Sequence, residues 1–225
     1  MTAIIVQSFV SAPPATVWAA LFSHPALVFD GLPHQAWPEP RDEQPPFHLH
    51  AAWPTVPGPT ELSVTIHEVG GGSRVDVRHE GWGEGAAWEE AVQGHFAGWL
   101  HGMALLGLMI EHGVDARVRD SALRGAERYL ISGEVPAPPS PVFRALTDAS
   151  VLARWSDGVP GGATTLEQIE DRLVRWRLPS GGELVAILRP TPRGTHVALA
   201  EYGVQDRGAS ARWPAMFERL TRWLT

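Results

Sequence analysis

Cysteine and lysine are both missing from this sequence of 225 residues. Without cysteine, the chain has no disulfide bonds, no thiolate metal ligands and no thiol nucleophile. Without lysine, it has neither a Schiff-base amine nor the lysine of a phosphate-binding loop. All 18 basic residues are therefore arginine, and these classes of chemistry are excluded.

Long hydrophobic runs are missing as well. The longest apolar stretch, MALLGLMI at Met103–Ile110, is far shorter than the roughly 20 residues that a membrane-spanning helix needs. The start of the chain, Met1–Pro14, has neither the basic residues nor the long apolar core of a signal peptide. We therefore expect no membrane span and a cytoplasmic protein.

Positive charge is scarce in the first half of the chain. Residues 1–113 hold three arginines against twelve carboxylates, a formal charge of −9, whereas residues 114–225 hold fifteen against thirteen. An acidic half repels nucleic acid, and the second half is too close to neutral to attract it strongly. We expect no nucleic-acid partner.

The strongest positive signal is an internal repeat. The stretch VSAPPATVWAAL begins at Val10, and VPAPPSPVFRAL begins at Val135, 125 positions later. A second pair, Glu61–Trp82 and Glu183–Val204, starts with Glu-Leu and passes through Gly-Ser or Gly-Thr. Self-similarity of this kind indicates a duplicated domain.

Each copy repeats the same pattern of elements. Leu62, Val64 and Ile66 alternate with polar residues before a glycine-rich turn, which predicts a β-hairpin with one buried face. Apolar residues at spacings of 4, 3 and 4 then predict a terminal helix with one apolar stripe. The two stripes are Trp99, Met103, Leu106 and Ile110, and Trp213, Phe217, Leu220 and Leu224.

We therefore predict an α+β fold with two tandem domains, at 1–113 and 126–225, joined by a polar linker at 114–125. In each domain, a strand, short helices and several antiparallel strands precede the long helix. The Pro-Pro pairs end the first strand and start a short helix, because proline fits a helix's first turn and not a ladder.

The order of these motifs resembles the START-like (SRPBCC) superfamily. Within it, the chain is most similar to AHSA1-like proteins, which are related to the C-terminal domain of the Hsp90 ATPase activator. The motifs are Ala-Pro-Pro-x-x-Val-[Trp/Phe]-x-Ala-Leu, the Gly-[Ser/Thr] hairpin and Trp-x3-[Met/Phe]-x2-Leu. The second copy has Trp155 at a tryptophan position typical of the family, where the first copy has Asp30. The second copy is also shorter, which predicts a reduced or filled cavity.

The resemblance implies a helix-grip fold, in which a curved antiparallel sheet wraps around the long C-terminal helix. Such folds often leave an apolar cavity, and concave apolar sites bind small ligands. The family's functions include lipid and polyketide binding, aromatic cyclisation, drug sequestration and co-chaperone activity. The fold alone therefore does not select a function.

The first copy has tryptophans without an aromatic counterpart in the second. Trp37, Trp53 and Trp82 are equally consistent with a ligand pocket and with a filled core, whereas Trp99 favours a core anchor. His79, on the apolar face of its strand, is the candidate for a hydrogen bond to a ligand carbonyl. The predicted cavity of domain 1 is lined by Trp37, Trp53, Val64, Ile66, Val77, His79, Trp82, Trp99 and Met103.

Metal and catalytic sites have weaker support. His48 and His50 have the spacing of two ligands on one side of a strand, but His67 points away from the face of His79. Asp76 and His79 also point to opposite faces, so that they cannot form a triad with a serine. We predict no metal, no cofactor and no catalytic residue.

The favoured hypothesis is a protein that binds or sequesters a small hydrophobic molecule in domain 1. The first alternative is a co-chaperone-like module whose partner is an Hsp90-type chaperone. The second alternative is a cyclase-like or hydrolase-like enzyme that uses the cavity as a template.

Overall fold

A computed structural model describes residues 3–23, 37–117, 121–123, 128–156, 162–203 and 209–225. The chain divides into two compact units, Met1–Arg117 and Val118–Thr225. Each unit combines an antiparallel sheet with helices, which confirms the α+β class and the tandem architecture. The finer limits at 113 and 126 stay predictions, since parts of the expected linker lie outside the described residues.

The first unit contains a five-stranded sheet, a short helix and a long one. Its elements are β1 (Ile4–Val10), α1 (Pro14–Ser23), β2 (Pro40–Gln44), β3 (His48–Pro54), β4 (Pro59–Val69), β5 (Gly72–Glu80) and α2 (Ala86–His112). The strands are hydrogen-bonded in the order β1-β5-β4-β3-β2. The predicted hairpin is β4 and β5, which precede the long helix as expected.

The second unit repeats this arrangement. After a single 3₁₀ turn at Ser121–Leu123, its elements are β6 (Arg128–Val135), α3 (Pro139–Thr147), α4 (Ala149–Trp155), β7 (Thr164–Ile169), β8 (Leu173–Arg177), β9 (Glu183–Thr191), β10 (Gly194–Tyr202) and α5 (Ala209–Leu224). Its strand order, β6-β10-β9-β8-β7, matches that of the first sheet strand for strand.

The Pro-Pro pairs act in the structure as the sequence predicts. The strand β1 ends at Val10 and α1 begins at Pro14, while β6 ends at Val135 and α3 begins at Pro139. At the other end of the first unit, Gly113 caps α2 with a left-handed φ of 65°. Glycine adopts that conformation without steric cost, so the helix ends there.

The duplication extends to individual hydrogen bonds. Ser73 Oγ donates to the carbonyl of Ala12 at 2.6 Å, and Thr195 Oγ1 donates to that of Ala137 at 2.7 Å. Each bond joins the start of the last strand to the loop after the first strand. The register shift between Pro40 and Asp42 in β2 also recurs between Thr165 and Glu167 in β7. Equal topology and equal local irregularities support one ancestral unit.

The core of each unit lies between the inner face of its sheet and its long helix. Leu62, Val64 and Ile66 are buried in the first core, which confirms the alternation read from the sequence. Fully burying one such side chain stabilises the fold by about 1.5–3 kcal/mol. No described helix combines the length and the apolar composition that crossing a membrane requires.

The predicted apolar stripe of each long helix packs against the core of its unit. Trp99, Met103 and Leu106 belong to the first core. In α5, Trp213 and Leu220 belong to the second core, while Phe217 and Leu224 are partly buried against it. Met216, which is 2% exposed, is a further core residue that the predicted stripe does not include.

Candidate functional site

The residues predicted to line a cavity lie together in the first unit. Eight of them are buried and Trp37 is partly buried against the same core. The strands β3, β4 and β5 supply five of the nine, and α2 supplies Trp99 and Met103. The structure therefore brings the nine predicted residues together around the core of the first unit.

His79 is held by a closed set of hydrogen bonds. The indole N–H of Trp99 donates to its Nδ1 at 3.1 Å, so that the proton of the neutral ring lies on Nε2. This Nε2 is 2.6 Å from Thr60 Oγ1, which donates in turn to the carbonyl of Trp53 at 3.0 Å. Both ring nitrogens are therefore occupied by protein groups. A ligand carbonyl bound here would have to displace one of them.

Burial also keeps His79 uncharged. Loss of solvent around the ring, and secondarily the nearby His95, lower its pKa from 6.5 to about 3. The centroids of the two imidazole rings are 5.2 Å apart. A neutral histidine with both ring nitrogens bonded to protein groups has the properties of a core residue.

The tryptophans of this region pack against one another. Trp53 lies with its ring centroid 5.5 Å from that of Trp99, and Trp37 lies 6.1 Å from Trp53. The indole of Trp37 donates to the carbonyl of Leu21 at 2.9 Å, and that of Trp82 donates to the carbonyl of His79 at 2.9 Å. Aromatic pairs at such separations add about 0.5–1.5 kcal/mol each beyond the area they bury. These side chains form a packed aromatic cluster.

The remaining histidines of the sheet lie on its outer face, as the strand alternation predicts. His48 Nδ1 is 3.2 Å from Thr65 Oγ1, His50 Nε2 is 3.1 Å from a carboxylate oxygen of Glu61, and His67 Nε2 is 3.1 Å from Asp76. Within the described ranges, no three His, Asp or Glu residues are grouped for a metal ion.

Ser73, Asp76 and His79, which have the residue types of a catalytic triad, do not form one in the structure. Ser73 donates its hydroxyl hydrogen to the carbonyl of Ala12. Asp76 faces outward and accepts from the guanidinium of Arg74 at 3.0 Å, whereas His79 is buried on the inner face. Neither the serine nor the aspartate touches the histidine in a way that supports proton transfer.

A pocket with apolar walls lies in the second unit, between α5 and the inner face of the sheet. It is lined by Leu146, Leu152, Trp155, Trp176, Leu184, Leu199, Trp213, Met216, Phe217 and Leu220. The open space inside it is small, with room for about one water molecule. The sequence predicts a reduced or filled cavity in this unit and places the ligand site in the first.

The indole N–H groups of two of the pocket's three tryptophans are bonded to neighbouring protein groups. The indole of Trp155 donates to the carbonyl of Ala145 at 2.9 Å, and that of Trp213 donates to the carboxylate of Glu201. Arg212 donates to the same carboxylate at 3.0 Å. The walls therefore present carbon atoms to an occupant.

Strand register shows which residues are equivalent in the two units. Leu62 pairs with His79 in the first sheet, and Leu184 pairs with Glu201 in the second. Trp99 and Trp213 thus donate to the same strand position, which holds a histidine in one unit and a glutamate in the other. The alignment of Glu61–Trp82 with Glu183–Val204 places His79 opposite Glu201, but it does not show that both accept a hydrogen bond from a tryptophan, because the two side chains share neither charge nor shape.

At two positions the second unit has smaller side chains than the first, whereas Trp176 stands where the first unit has Ala51. By the same register, Thr60 corresponds to Gly182, and Trp53 corresponds to Leu178. The long helix also differs, because α2 has 27 residues and α5 has 16. Two of the partly buried side chains that complete the first core, Trp88 and Val92, come from the early turns of α2.

Searches against protein-family models and against curated proteins found no match for this chain. Solved structures do match in fold. DynU16, from the dynemicin biosynthetic locus, is similar over 99% of this chain and 95% of its own, at 16% identity and a TM-score of 0.45.

Other matches cover the length of about one unit, and AHSA1-like proteins are among them, as the sequence resemblance predicts. The Aha1 dimer protein from Colwellia psychrerythraea covers 44% of this chain and 96% of its own, at 17% identity and a TM-score of 0.38. An AHSA1-like protein from Aeromonas hydrophila covers 43% of this chain and 91% of its own, at 14% identity and a TM-score of 0.36. At these identities the likeness concerns the fold alone.

Proposed function

We propose that the chain binds a small, flat, apolar molecule in the pocket of the second unit. The observation that carries this proposal is the pocket itself, which has apolar side chains on every wall and three tryptophans among them. Concave, mostly apolar sites of this kind are the usual places for small ligands in proteins. The pocket also lies between sheet and helix, where the resemblance implies a cavity.

The walls favour a planar occupant without polar groups. Trp155, Trp176 and Trp213 are each 5% exposed or less, and indole faces stack well on flat ring systems. A ligand with a buried hydroxyl or amide would lose its hydrogen bonds to water and find no partner on the walls, which is costly. Met216 is unbranched and adapts easily to the shape of an occupant.

The small volume of the pocket requires side chains to move on binding. Eight of the ten lining residues are buried, whereas Leu152 and Phe217 are partly buried and form its rim. Rim residues rearrange at lower cost than buried ones, since they lose fewer packing contacts. We expect the bound pocket to be wider at these two residues.

The residues of the first unit are a weaker place for a ligand. His79 and its bonded tryptophans already satisfy one another, so that an occupant would have to replace internal hydrogen bonds. Their role in ligand binding stays a prediction, as do the chaperone partner and the cyclase-like or hydrolase-like activity.

The experiment that tests the proposal is calorimetric titration of the full chain with benzene, naphthalene and indole, combined with thermal denaturation. Binding to the folded state alone raises the melting temperature. Leu199→Phe adds volume inside the pocket and should weaken binding by about tenfold or more. Leu166→Phe makes the same change at a side chain that is 45% exposed and serves as the control.

Two results would contradict the proposal. If none of the three compounds binds the unaltered protein, the second unit is not a site for small apolar molecules. If a compound binds but Leu199→Phe has no more effect than Leu166→Phe, the ligand occupies another part of the chain.

A further inference from the structure

We infer that Phe217 is the adjustable wall of the pocket and sets the size of the molecule that enters it. This inference rests on the proposed function, because it assigns a residue that selects among ligands of that site. Three observations support it: the contact of Phe217 with Gly133, its position at the rim, and the residues found at the same places in the first unit.

The ring of Phe217 lies directly on the backbone of β6. A Cβ atom built on Gly133 would be 2.7 Å from Cε1 and 2.9 Å from Cζ of this ring. Real Cβ contacts are longer than this, so that a side chain at position 133 and the ring in its present place exclude each other. The missing side chain of Gly133 is what allows Phe217 to lie there.

Phe217 lies between Gly133 and the open space of the pocket. It lines the pocket and touches the glycine of the adjoining strand. Gly133 and the buried Val135 are two residues apart on β6, and therefore share the inner face. Any group added at Gly133 must therefore displace the ring from its present place at the rim of the pocket.

The first unit has a different pair of residues at these positions. The alignment of the openings places Ser8 opposite Gly133, and that of the helices places Met103 opposite Phe217. Ser8 and Met103 are 7% and 2% exposed, so both are buried. The first unit thus pairs a small side chain, Ser8, with the flexible Met103. The second unit pairs a glycine, which has no side chain, with the rigid ring of Phe217.

This exchange has a consequence for the ligand. The ring of Phe217 has two side-chain torsions, and its partly buried position leaves it room to turn toward solvent. The other rim residue, Leu152, lies on the separate helix α4. Movement of Phe217 therefore changes the width of the pocket without unpacking its buried walls. Small flat ligands should enter the pocket with little movement of Phe217. The size of the largest ligand that binds should depend on how far the ring of Phe217 can move.

The experiment is a comparison of three ligands of rising size, namely benzene, naphthalene and phenanthrene, in four proteins. The unaltered chain is compared with Gly133→Ala, which displaces the ring of Phe217, and with Phe217→Leu, which replaces the ring with a shorter side chain. The control is Gly94→Ala, a helix position with no heavy atom within 4 Å of the added methyl. Calorimetry gives the affinities, and circular dichroism checks that each variant is folded.

We expect Gly133→Ala to change naphthalene affinity by about tenfold while benzene affinity changes by less than about threefold. We expect Phe217→Leu to improve phenanthrene binding relative to naphthalene. Gly94→Ala should leave the order of affinities unchanged.

Failure of the inference is distinguishable from failure of the proposed function. If the unaltered chain binds naphthalene, and both Gly133→Ala and Phe217→Leu keep its order of affinities, the pocket stands and Phe217 does not set ligand size. If Gly133→Ala is unfolded, Phe217→Leu alone decides between these results. If the unaltered chain binds no compound, the proposed function and the inference are both wrong.

Discussion

The indole N–H of Trp99 donates to Nδ1 of His79 at 3.1 Å, and this bond joins the long helix to the last strand of the first sheet. The second unit makes the equivalent bond from Trp213 to the carboxylate of Glu201. The tryptophan is common to both copies, but its acceptor is neutral in one and can carry a charge in the other. The two units thus make the same hydrogen bond between helix and strand with acceptors of different chemical type, an imidazole in the first and a carboxylate in the second.

Replacing His79 with alanine should destabilise the first unit strongly. The change leaves a cavity and removes the acceptor of the buried Trp99 indole, while Thr60 loses one of its two partners. We expect the free energy of unfolding to fall by about 2–4 kcal/mol, as measured by urea denaturation.

The matched control for this change is His67→Ala. His67 lies on the outer face, with 42% of its side chain exposed, so its replacement should change the free energy of unfolding by less than about 0.5 kcal/mol. Equal effects of the two substitutions would show that the His79 network contributes little to stability.

The stability of the protein should decrease as the pH falls below 6.5. Burial lowers the pKa of His79 from its ordinary value of 6.5 to about 3. Between these values the unfolded chain binds the proton and the folded chain does not, so that the free energy of unfolding falls with falling pH. We expect the free energy of unfolding of His79→Gln to depend less steeply on pH. The difference in slope should correspond to at most about one bound proton.

His95 and His196 bear on how this comparison is made. The pKa of each is also lowered by burial, so both contribute to the pH dependence in the same direction as His79. His196 lies in the other unit, so its contribution is the same in the unaltered protein and in His79→Gln and cancels when the two pH dependences are subtracted. The ring of His95 packs 5.2 Å from that of His79, so the difference measures these two residues together. If the free energy of unfolding depends on pH equally in the unaltered protein and in His79→Gln between pH 3 and 6.5, the low pKa of His79 is contradicted.

The fold could be predicted from the sequence because its determinants are local. The Pro-Pro pairs fix where a strand ends and a helix begins, and the alternation of Leu62, Val64 and Ile66 fixes the buried face. The repeat then doubles each signal. Such patterns need no knowledge of which distant residues meet.

The location of the pocket could not be predicted in the same way. Tryptophans are equally suited to lining a cavity and to filling it, and the difference depends on partners such as the Leu21 carbonyl, which bonds to Trp37. Gly133 and Gly182 are smaller than Ser8 and Thr60 at the matching positions, but the ring of Phe217 lies on the first glycine and the Tyr202 carbonyl lies on the second, so that neither marks the open space.

Gly72→Ala should destabilise the first unit, and Gly194→Ala should destabilise the second for the same reason. The two glycines begin equivalent strands, and a Cβ at either would clash with backbone, at 2.5 Å from the Val10 carbonyl oxygen in the case of Gly72. Backbone cannot move aside as a side chain can, so we expect each change to cost about 1–3 kcal/mol in urea denaturation.

Gly94→Ala is the control for these glycine substitutions. Its added methyl meets no neighbour, and alanine is favoured over glycine within a helix by about 0.5–1 kcal/mol. We therefore expect Gly94→Ala to raise the free energy of unfolding. A Gly72→Ala protein as stable as Gly94→Ala would contradict the close approach of β5 to the loop after β1.

Glu201 should matter for both stability and ligand binding, because it holds a wall of the pocket. Glu201→Leu leaves the indole of Trp213 and the guanidinium of Arg212 without this acceptor, which should cost about 2–3 kcal/mol in urea denaturation. Glu201→Gln keeps an acceptor oxygen at the same place and should cost less. Since Trp213 lines the pocket, we expect naphthalene affinity to fall in the leucine variant and to be largely kept in the glutamine variant. Equal affinities in the two variants would show that the position of Trp213 does not depend on this bond.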